Sequence, residues 1–319
     1  MNINQLRYFI ELSRSRSFSK ASRNLRISQP ALSLQIQKLE EEFNFALIDR
    51  TMRPLKLTQE GEIFFEKSLN ILQLVDDLDN LSIDLEEVVQ GKLRIGIIPT
   101  LSPYLTPLFI DDIAENYPNL YLEIIELSTA DIISQLTYNE IDLGILSTPV
   151  TAKNIGFTTL FYERFFLYVS EKSSIADCEK ISPADVPKDE LWFLKEGNCF
   201  QNQVNTLCDM KNNEAARQFI YSSYSIESLK RIVEFYGGVT FIPELSTTNI
   251  PSENENMIKR LTSPVPVREI SAAWLKTTGF KKNARILTDI ILSQIPTRMK
   301  KRPLNKPVPT NMQYSKKSE

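Results

Sequence analysis

The sequence predicts an α/β chain that begins with an all-α, winged helix-turn-helix head. Three observations carry that prediction. Over residues 1–60 apolar side chains recur every three or four positions in short, capped segments, the period of amphipathic helices. From Lys92 onward, apolar runs of strand length alternate with helical segments, the pattern of α/β sheets. Between the two lies a long acidic stretch with a single apolar seam. The expected units are 1–58 for the head, 59–90 for a linker helix, 91–297 for the α/β body and 298–319 for a basic, disordered tail.

Composition narrows the function. The chain has 319 residues, 42% hydrophobic and 24% charged, which suits a globular protein with more than one core. It lacks the roughly 18-residue apolar run that crosses a bilayer. Its N-terminus lacks the pattern of a signal peptide, so a cytoplasmic location is expected, with no membrane partner. There is no histidine, which removes Ser-His-Asp triads, histidine general bases and histidine metal sites. Three cysteines without a CxxC spacing offer neither a zinc ribbon nor a disulfide framework. No phosphate-binding loop or metal set is present, so no cofactor is expected and an enzyme is the weakest reading. Charge is uneven: residues 1–60 carry a net +4, residues 298–319 a net +6 and the remainder a net −13. A basic head on an acidic body suits contact between the head and phosphate, though surface charge also varies without function.

In the head, Leu6, Phe9, Ile10 and Leu12 form the first apolar face. Ser17 reads as the N-cap of a second helix beginning at Phe18. Ser28 reads as the N-cap of a third, with Pro30 in the first turn, where a missing N–H costs nothing. On that third helix, about Gln29 to Phe43, Leu32, Ile36, Leu39 and Phe43 fall on one inward side. Gln29, Pro30, Ser33, Leu34, Gln37 and Lys38 are left outside. Such a polar face suits the major groove of duplex DNA, where Gln pairs with adenine and Ser with several base edges. Residues 51–54 read as the tip of a small hairpin or wing. Arg50, Arg53 and Lys56 on it would reach phosphates or the minor groove. The plain alternatives are a packed helix pair and a solvated loop.

Thr58 reads as the N-cap of a helix running to about Val89, closed by Gly91. Its seam, Ile71, Val75, Leu78, Leu81, Leu85 and Val88, needs a partner, and a second copy of the chain is the simplest one. In the body, strands are expected at Leu93–Ile98, Leu120–Glu126, Ile141–Leu146, Arg164–Ser170 and Gly238–Pro243, in mainly parallel sheets. Ligands in such sheets sit beyond strand carboxyl ends. Thr100 follows the first strand and Ser128-Thr129 opens the helix after the second, where hydroxyls either hold a small polar ligand or simply cap a helix.

The segment Lys195–Cys208 carries the remaining chemistry. Asn198 can cap a helix that starts at Cys199, and a thiol at a helix N-terminus is expected to have a lowered pKa, with Lys195 adding to the effect. Cys208 lies nine residues on. On one helix the two Cα atoms would be roughly 13 Å apart, whereas a disulfide needs about 7 Å or less. Spacing alone points first to two small core residues, the common fate of free cysteine. Closing the pair would require the segment to unwind. Cys178 fits no motif.

Several of these runs, taken in order, resemble the LysR-type transcriptional regulators. They are Leu6-Arg7-Tyr8-Phe9, Phe18-Ser19-Lys20-Ala21-Ser22, Ser28-Gln29-Pro30-Ala31-Leu32-Ser33, Gln35-Ile36-Gln37-Lys38-Leu39-Glu40, Arg50-Thr51 and Leu57-Thr58-Gln59-Glu60-Gly61. Leu34 departs, where many members carry Arg or Gly. The resemblance implies a DNA-binding regulator with a dimerising linker helix. It also implies a regulatory part built like a two-lobed periplasmic binding protein, into which Asp142-Leu143-Gly144-Ile145 and Gly237–Pro243 fit. The spacing Gly197-x-Cys199-x8-Cys208, the run Ile98-Pro99-Thr100-x2-Pro103-Tyr104-Leu105-x-Pro107 and Thr129 are similar to the peroxide-sensing OxyR branch. That resemblance implies that hydrogen peroxide oxidises Cys199 and that Cys208 resolves it as a disulfide. Thr100, Thr129, Asn198 and, by a looser match, Arg268 would then surround the peroxide. Asn198 departs from the histidine of well-known members. A homodimer or homotetramer on a two-fold promoter site is implied, with RNA polymerase as a further partner. The rival expectation is a regulator of the same fold that answers a metabolite in the inter-lobe cleft, its cysteines being structural. A solute-binding protein is a more distant one, which the basic head opposes.

Overall fold

Asn2 opens the first helix by a reciprocal cap: its side chain accepts from the Gln5 N–H while the Gln5 side chain accepts from the Asn2 N–H. This computed structural model describes every residue except 80–88, 196–197, 211–220, 222, 249 and 315–319. The chain divides into two units, Met1–Glu87 and Val88–Glu319.

In the first unit α1 (Ile3–Ser15), α2 (Phe18–Asn24) and α3 (Gln29–Phe43) form the helix-turn-helix, with Ser17 and Ser28 as the expected N-caps. Leu6, Phe9 and Leu12 meet Leu32, Ile36 and Leu39 in a core closed to solvent. Phe43 sits at its edge, its ring 5.0 Å from that of Phe64, which also meets Phe9 at 5.4 Å. Strands β1 (Ile48–Asp49) and β2 (Lys56–Leu57) pair antiparallel and make the wing. Helix α4 (Gln59–Asp79) begins where the Thr58 hydroxyl accepts from the Gly61 N–H at 2.9 Å. Gly61 is obligatory there, because a Cβ would lie 2.1 Å from the Leu47 carbonyl oxygen. Ile71, Leu74 and Leu78 stand exposed along α4, whereas Leu81, Leu85 and Val88 of the expected seam lie outside the described residues. Gly91, read as the end of that helix, instead opens the next strand with φ of 97°.

The second unit is built on one eight-stranded, mixed sheet. Strand β3 (Gly91–Ile97) lies parallel between β4 (Leu120–Glu126) and β5 (Leu143–Thr148), joined through α5 (Ser102–Asn116) and α6 (Thr129–Thr137). Short β6 (Val150–Ala152) then leads into β7 (Ile155–Val169), fifteen residues long. After β8 (Lys180–Ile181) come α7 (Cys199–Leu207) and α8 (Ile226–Tyr236). The chain continues as β9 (Val239–Pro243), β10 (Ile258–Leu261), β11 (Val267–Leu275) and α9 (Lys282–Gln294). Both long strands run antiparallel to each other, β11 also to β5, and β7 to β9 and β10. The expectation of mainly parallel sheets is corrected on this point. The chain passes between two cores along β7 and back along β11, and a return strand that pairs with its outgoing neighbour must be antiparallel. One core gathers Ile95, Ile97, Phe109, Ile145 and Leu287; the other gathers Leu167, Phe200, Val233, Phe241 and Ile242. Strand β7 feeds the first through Phe161 and the second through Phe165.

The basic tail is not disordered over its described length, which corrects the fourth expected segment. Helix α10 (Thr297–Lys300) buries Met299, and the chain then runs extended to β12 (Met312–Tyr314), which pairs parallel with β6. Val308 and Met312 are buried, and the Val308 N–H donates to the Val267 carbonyl at 2.8 Å. From α7, Gln203 donates to the Val308 carbonyl at 2.7 Å and Asn202 to that of Thr310 at 3.1 Å. Periodicity misses such a strap because its apolar anchors are few and unevenly spaced, and its prolines suit an extended path over regular structure. Deleting residues 307–319 removes two buried apolar anchors, each worth about 1.5–3 kcal/mol. The melting temperature of the second unit should fall by about 5–15 °C; an unchanged thermal scan would contradict the docked strap.

Candidate functional site

Arg268 and Glu163 face each other in register on β11 and β7, both excluded from solvent. The guanidinium Nε donates to Glu163 Oε2 at 2.7 Å and Nη2 approaches the same oxygen at 2.6 Å. Its other donors reach Thr100, at 3.0 Å to the hydroxyl and 3.2 Å to the carbonyl. The second carboxylate oxygen accepts from the Leu245 N–H at 3.1 Å. Burial pushes the Glu163 pKa up and the adjacent Arg268 charge opposes it. The face of Arg268 lies over the Phe200 ring, 5.1 Å from its centre, and Phe200 stacks on Phe165 at 5.1 Å. One buried ion pair thereby connects the end of β3, the turn after β9 and the first turn of α7.

Cys199 is the first residue of α7. Asn198 caps that helix, its side-chain oxygen accepting from the Phe200 N–H at 2.9 Å, so this oxygen is committed to the fold. Cys199 is 1% exposed and belongs to the first core, whereas Phe200 beside it belongs to the second. Burial raises the thiol pKa; against it act the Thr129 hydroxyl, the Arg268 charge and the N–H groups of Phe200 and Ser147. The expected lowering is therefore corrected in direction: desolvation of the thiolate outweighs the helix N-terminus. Lys195 does not turn to the thiol but lies over the Tyr224 ring at 5.2 Å. Thr129 Oγ1 is buried and makes no well-formed hydrogen bond among the described residues, although its hydroxyl sits close enough to the sulfur to favour the thiolate. A buried hydroxyl with its donor in reserve suits a sulfur that becomes charged, or a small polar molecule beside it.

Neither threonine is itself an N-cap; Ser128 caps α6, so the capping alternative holds at Ser128-Thr129 through the serine, and α5 starts after Leu101 without a side-chain cap. Thr100 touches Arg268, and Thr129 and Arg268 both act on Cys199, so four of the expected residues form one cluster with Asn198 at its border. Cys208 is not in it. It terminates α7, buries in the second core, and has its thiol pKa pushed up to about 11 by burial. Cys178 is exposed. Sequence reasoning missed Glu163, although an acidic residue inside the run Phe161-Tyr162-Glu163-Arg164-Phe165 was a visible anomaly. It also missed Ser147, for which the sequence carried no signal.

On the head, Ser28, Gln29, Pro30, Leu34, Gln37 and Lys38 are exposed and Ser33 is half-buried, all on α3 or its N-cap, and Arg53 is exposed on the wing. Gln37 donates to Glu41 at 2.8 Å. Arg50 pairs with Glu40 at 2.8 Å and lies over the Phe18 ring, so part of its charge is answered within the head. Glu40 also accepts from the Leu47 and Ile48 N–H groups, which ties the wing to α3.

Removing one member of the buried pair should cost far more than removing both. Arg268→Met leaves Glu163 uncompensated and should lose about 3–5 kcal/mol, read from urea midpoints. Adding Glu163→Gln should restore part of it; equal losses for single and double variants would contradict the pairing.

The comparisons with known proteins agree over most of the chain. Residues 3–62 match the family model for bacterial regulatory helix-turn-helix proteins of the lysR family, and residues 86–295 match that for the LysR substrate binding domain. A hydrogen peroxide-inducible genes activator from Haemophilus influenzae is 30% identical, over 86% of this chain and 90% of its own. Its counterpart from Pectobacterium carotovorum is 31% identical, over 91% and 96%. The crystal structure of OxyR from Porphyromonas gingivalis superposes with a TM-score of 0.62 at 30% identity, covering 66% of this chain and 96% of that one. A full-length OxyR variant from Pseudomonas aeruginosa shares the fold over 92% of this chain and 97% of its own, with a TM-score of 0.71 at 23% identity. The chain belongs to the LysR family of bacterial helix-turn-helix regulators.

Proposed function

We propose that this chain is a peroxide-responsive transcription regulator: α3 and the wing bind promoter DNA, and Cys199 and Cys208 carry the signal. The observation that supports it best is the division of the two cysteines between the two cores, at opposite ends of α7. The Cys199 thiolate attacks one peroxide oxygen; an S–O bond forms, the O–O bond breaks and the departing hydroxide takes a proton to become water. The Cys208 thiolate then attacks the resulting sulfenic sulfur; the S–S bond forms, the S–O bond breaks and the departing hydroxide takes a proton to become a second water. Thr129 donates to the charged sulfur or to the peroxide, and the Arg268 charge favours the thiolate. Thr100 positions Arg268, and Asn198 holds the helix start. Since a nine-residue helix keeps its ends roughly 13 Å apart, α7 unwinds to close the bond. That is how one oxidation becomes a change of shape and of promoter binding.

The exposed Ile71, Leu74 and Leu78 of α4 support pairing with a second copy, giving a homodimer or homotetramer that presents two heads to a two-fold site. Such an activator acts in the cytoplasm and contacts RNA polymerase. Among the described residues no helix is long and apolar enough to cross a membrane.

With thiols labelled before and after a stoichiometric dose of peroxide, Cys199 and Cys208 should both become protected, and Cys208→Ser should stop at the sulfenic acid. Free thiols in both samples would end the redox reading. Because burial raises the Cys199 pKa, thiolate is scarce at neutral pH and its fraction grows about tenfold per pH unit. Oxidation should therefore accelerate steadily from pH 6 to 9 as an approximate window; a plateau already reached near neutrality would show a lowered pKa instead. Thr129→Val removes a hydrogen bond to a charged group and should slow oxidation by about tenfold or more. On DNA, Arg53→Ala should weaken binding across sequences and lower the salt slope by about 0.9 per lost phosphate contact. Gln29→Ala should instead relax preference at one base pair, and titrations of matched and mutated sites separate the two.

A further inference from the structure

Back to back with the sensing cluster, the outer face of β7 borders a basic groove that the redox mechanism leaves unused. Side chains alternate across a strand, so Glu163 points inward to Arg268 while Arg164 is exposed on the other side. Arg164 lines two adjoining cavities of about 670 and 220 Å³. Lys180 and Arg260 line the larger, Lys301 and Arg302 the smaller, and Arg298 and Glu244 both. The groove thus gathers six cations, while Glu244 and Glu255 are its acids. Glu244 is buried and already engaged, by Arg298 at 2.9 Å and by the Arg164 N–H at 3.1 Å. The side chains of Arg164, Lys180 and Arg260 form no ion pair among the described residues. This concentration lies on a unit, residues 88–319, whose charges sum to zero, so the positive charge is local. A concave wall with an excess of one charge sign focuses its field on whatever enters. Three of the six cations come from residues beyond 295, where the match to the family's substrate binding domain ends.

We propose that this groove binds a small multivalent anion, a phosphate-bearing or polycarboxylate metabolite, and that occupancy tunes the reactivity of Cys199. The tuning rests on the peroxide reading above; the binding does not. The cavity volumes suit a metabolite, and the spread of cations around the groove suits an anion with more than one charged group. The route to the thiol is short. Glu244 holds Arg298, and the next residue, Leu245, donates its N–H to Glu163, which holds Arg268 beside Cys199. Glu163 and Arg164 are neighbours on β7, and the Arg164 N–H binds Glu244. An anion that draws Arg298 away from Glu244 therefore acts on the turn that fixes the buried pair.

The test is calorimetric titration of the reduced full-length protein with inorganic pyrophosphate and, separately, citrate, at about 0.15 M salt, where weak surface attraction is screened. Saturable binding of one molecule per chain is expected for at least one of them, and which one binds separates phosphate from carboxylate chemistry. Arg260→Ser and Lys180→Ser lie on the exposed rim, so their melting temperatures should match the parent. Each should weaken binding by about tenfold, and Arg260→Lys should restore most of it. Absence of saturable binding with both probes, or equal affinity in the rim variants, overturns the site. Cys199→Ser should bind the anion as the parent does, which keeps this result independent of peroxide chemistry. In the parent, saturating anion should change the rate of Cys199 oxidation by about twofold or more; binding with an unchanged rate overturns the tuning.

Discussion

Much of the regulatory unit is organised around one buried ion pair. Arg268 and Glu163 lie where β7 and β11 pass between the two cores, and both are closed to solvent. Removing two charges from water costs several kcal/mol per ion, returned only if geometry is good and the remaining donors and acceptors are used. Here they are used. Thr100, Leu245 and the Phe200 ring complete the surroundings, so segments from β3, the turn after β9 and α7 converge on one point. Misplacing any of them leaves a buried charge short of a partner. The constraint that stabilises the junction also sets the position of the residue next to Phe200, which is Cys199.

Cys199 experiences two opposed effects. Burial favours the neutral thiol, whereas Thr129, Arg268 and two backbone N–H groups favour the thiolate. The balance lies with burial, which holds the thiol quiet until something supplies a better partner for the charge. Thr129, with its hydroxyl unused, is placed to do so. Strap and sensing helix are also linked, since Gln203 and Asn202 of α7 donate to the carbonyls of Val308 and Thr310. Unwinding α7 therefore costs those bonds as well as the packing of Phe200 and Val204 in the second core.

The head was legible because its determinants are local. Ser17, Ser28, Pro30 and a spacing of three and four among Leu32, Ile36 and Leu39 specify the helices without reference to distant residues. The sheet was legible in its strands but not in its pairing. Residues Val267–Leu275 find Ile155–Arg164 about a hundred positions away, and nothing in either segment announces an antiparallel partner. Within the site, Thr100 and Thr129 were placed by strand ends and Cys199 by its helix N-terminus, Arg268 was reached by resemblance alone, and the pKa direction was misjudged. A helix N-terminus can be read from Asn198, but the burial that outweighs it is a property of the assembled cores. The strap escaped for the same reason: Met299, Val308 and Met312 become anchors only where the second unit offers places for them.

The central claim is that joining Cys199 to Cys208 requires the helix between them to come apart. Hydrogen–deuterium exchange across Cys199–Cys208, followed by peptide mapping of the same peroxide-treated sample, tests it most directly. The account predicts a disulfide-linked peptide pair and loss of amide protection throughout α7, with the strap carbonyl contacts at Val308 and Thr310 released. A disulfide formed while α7 keeps its protection would contradict the account.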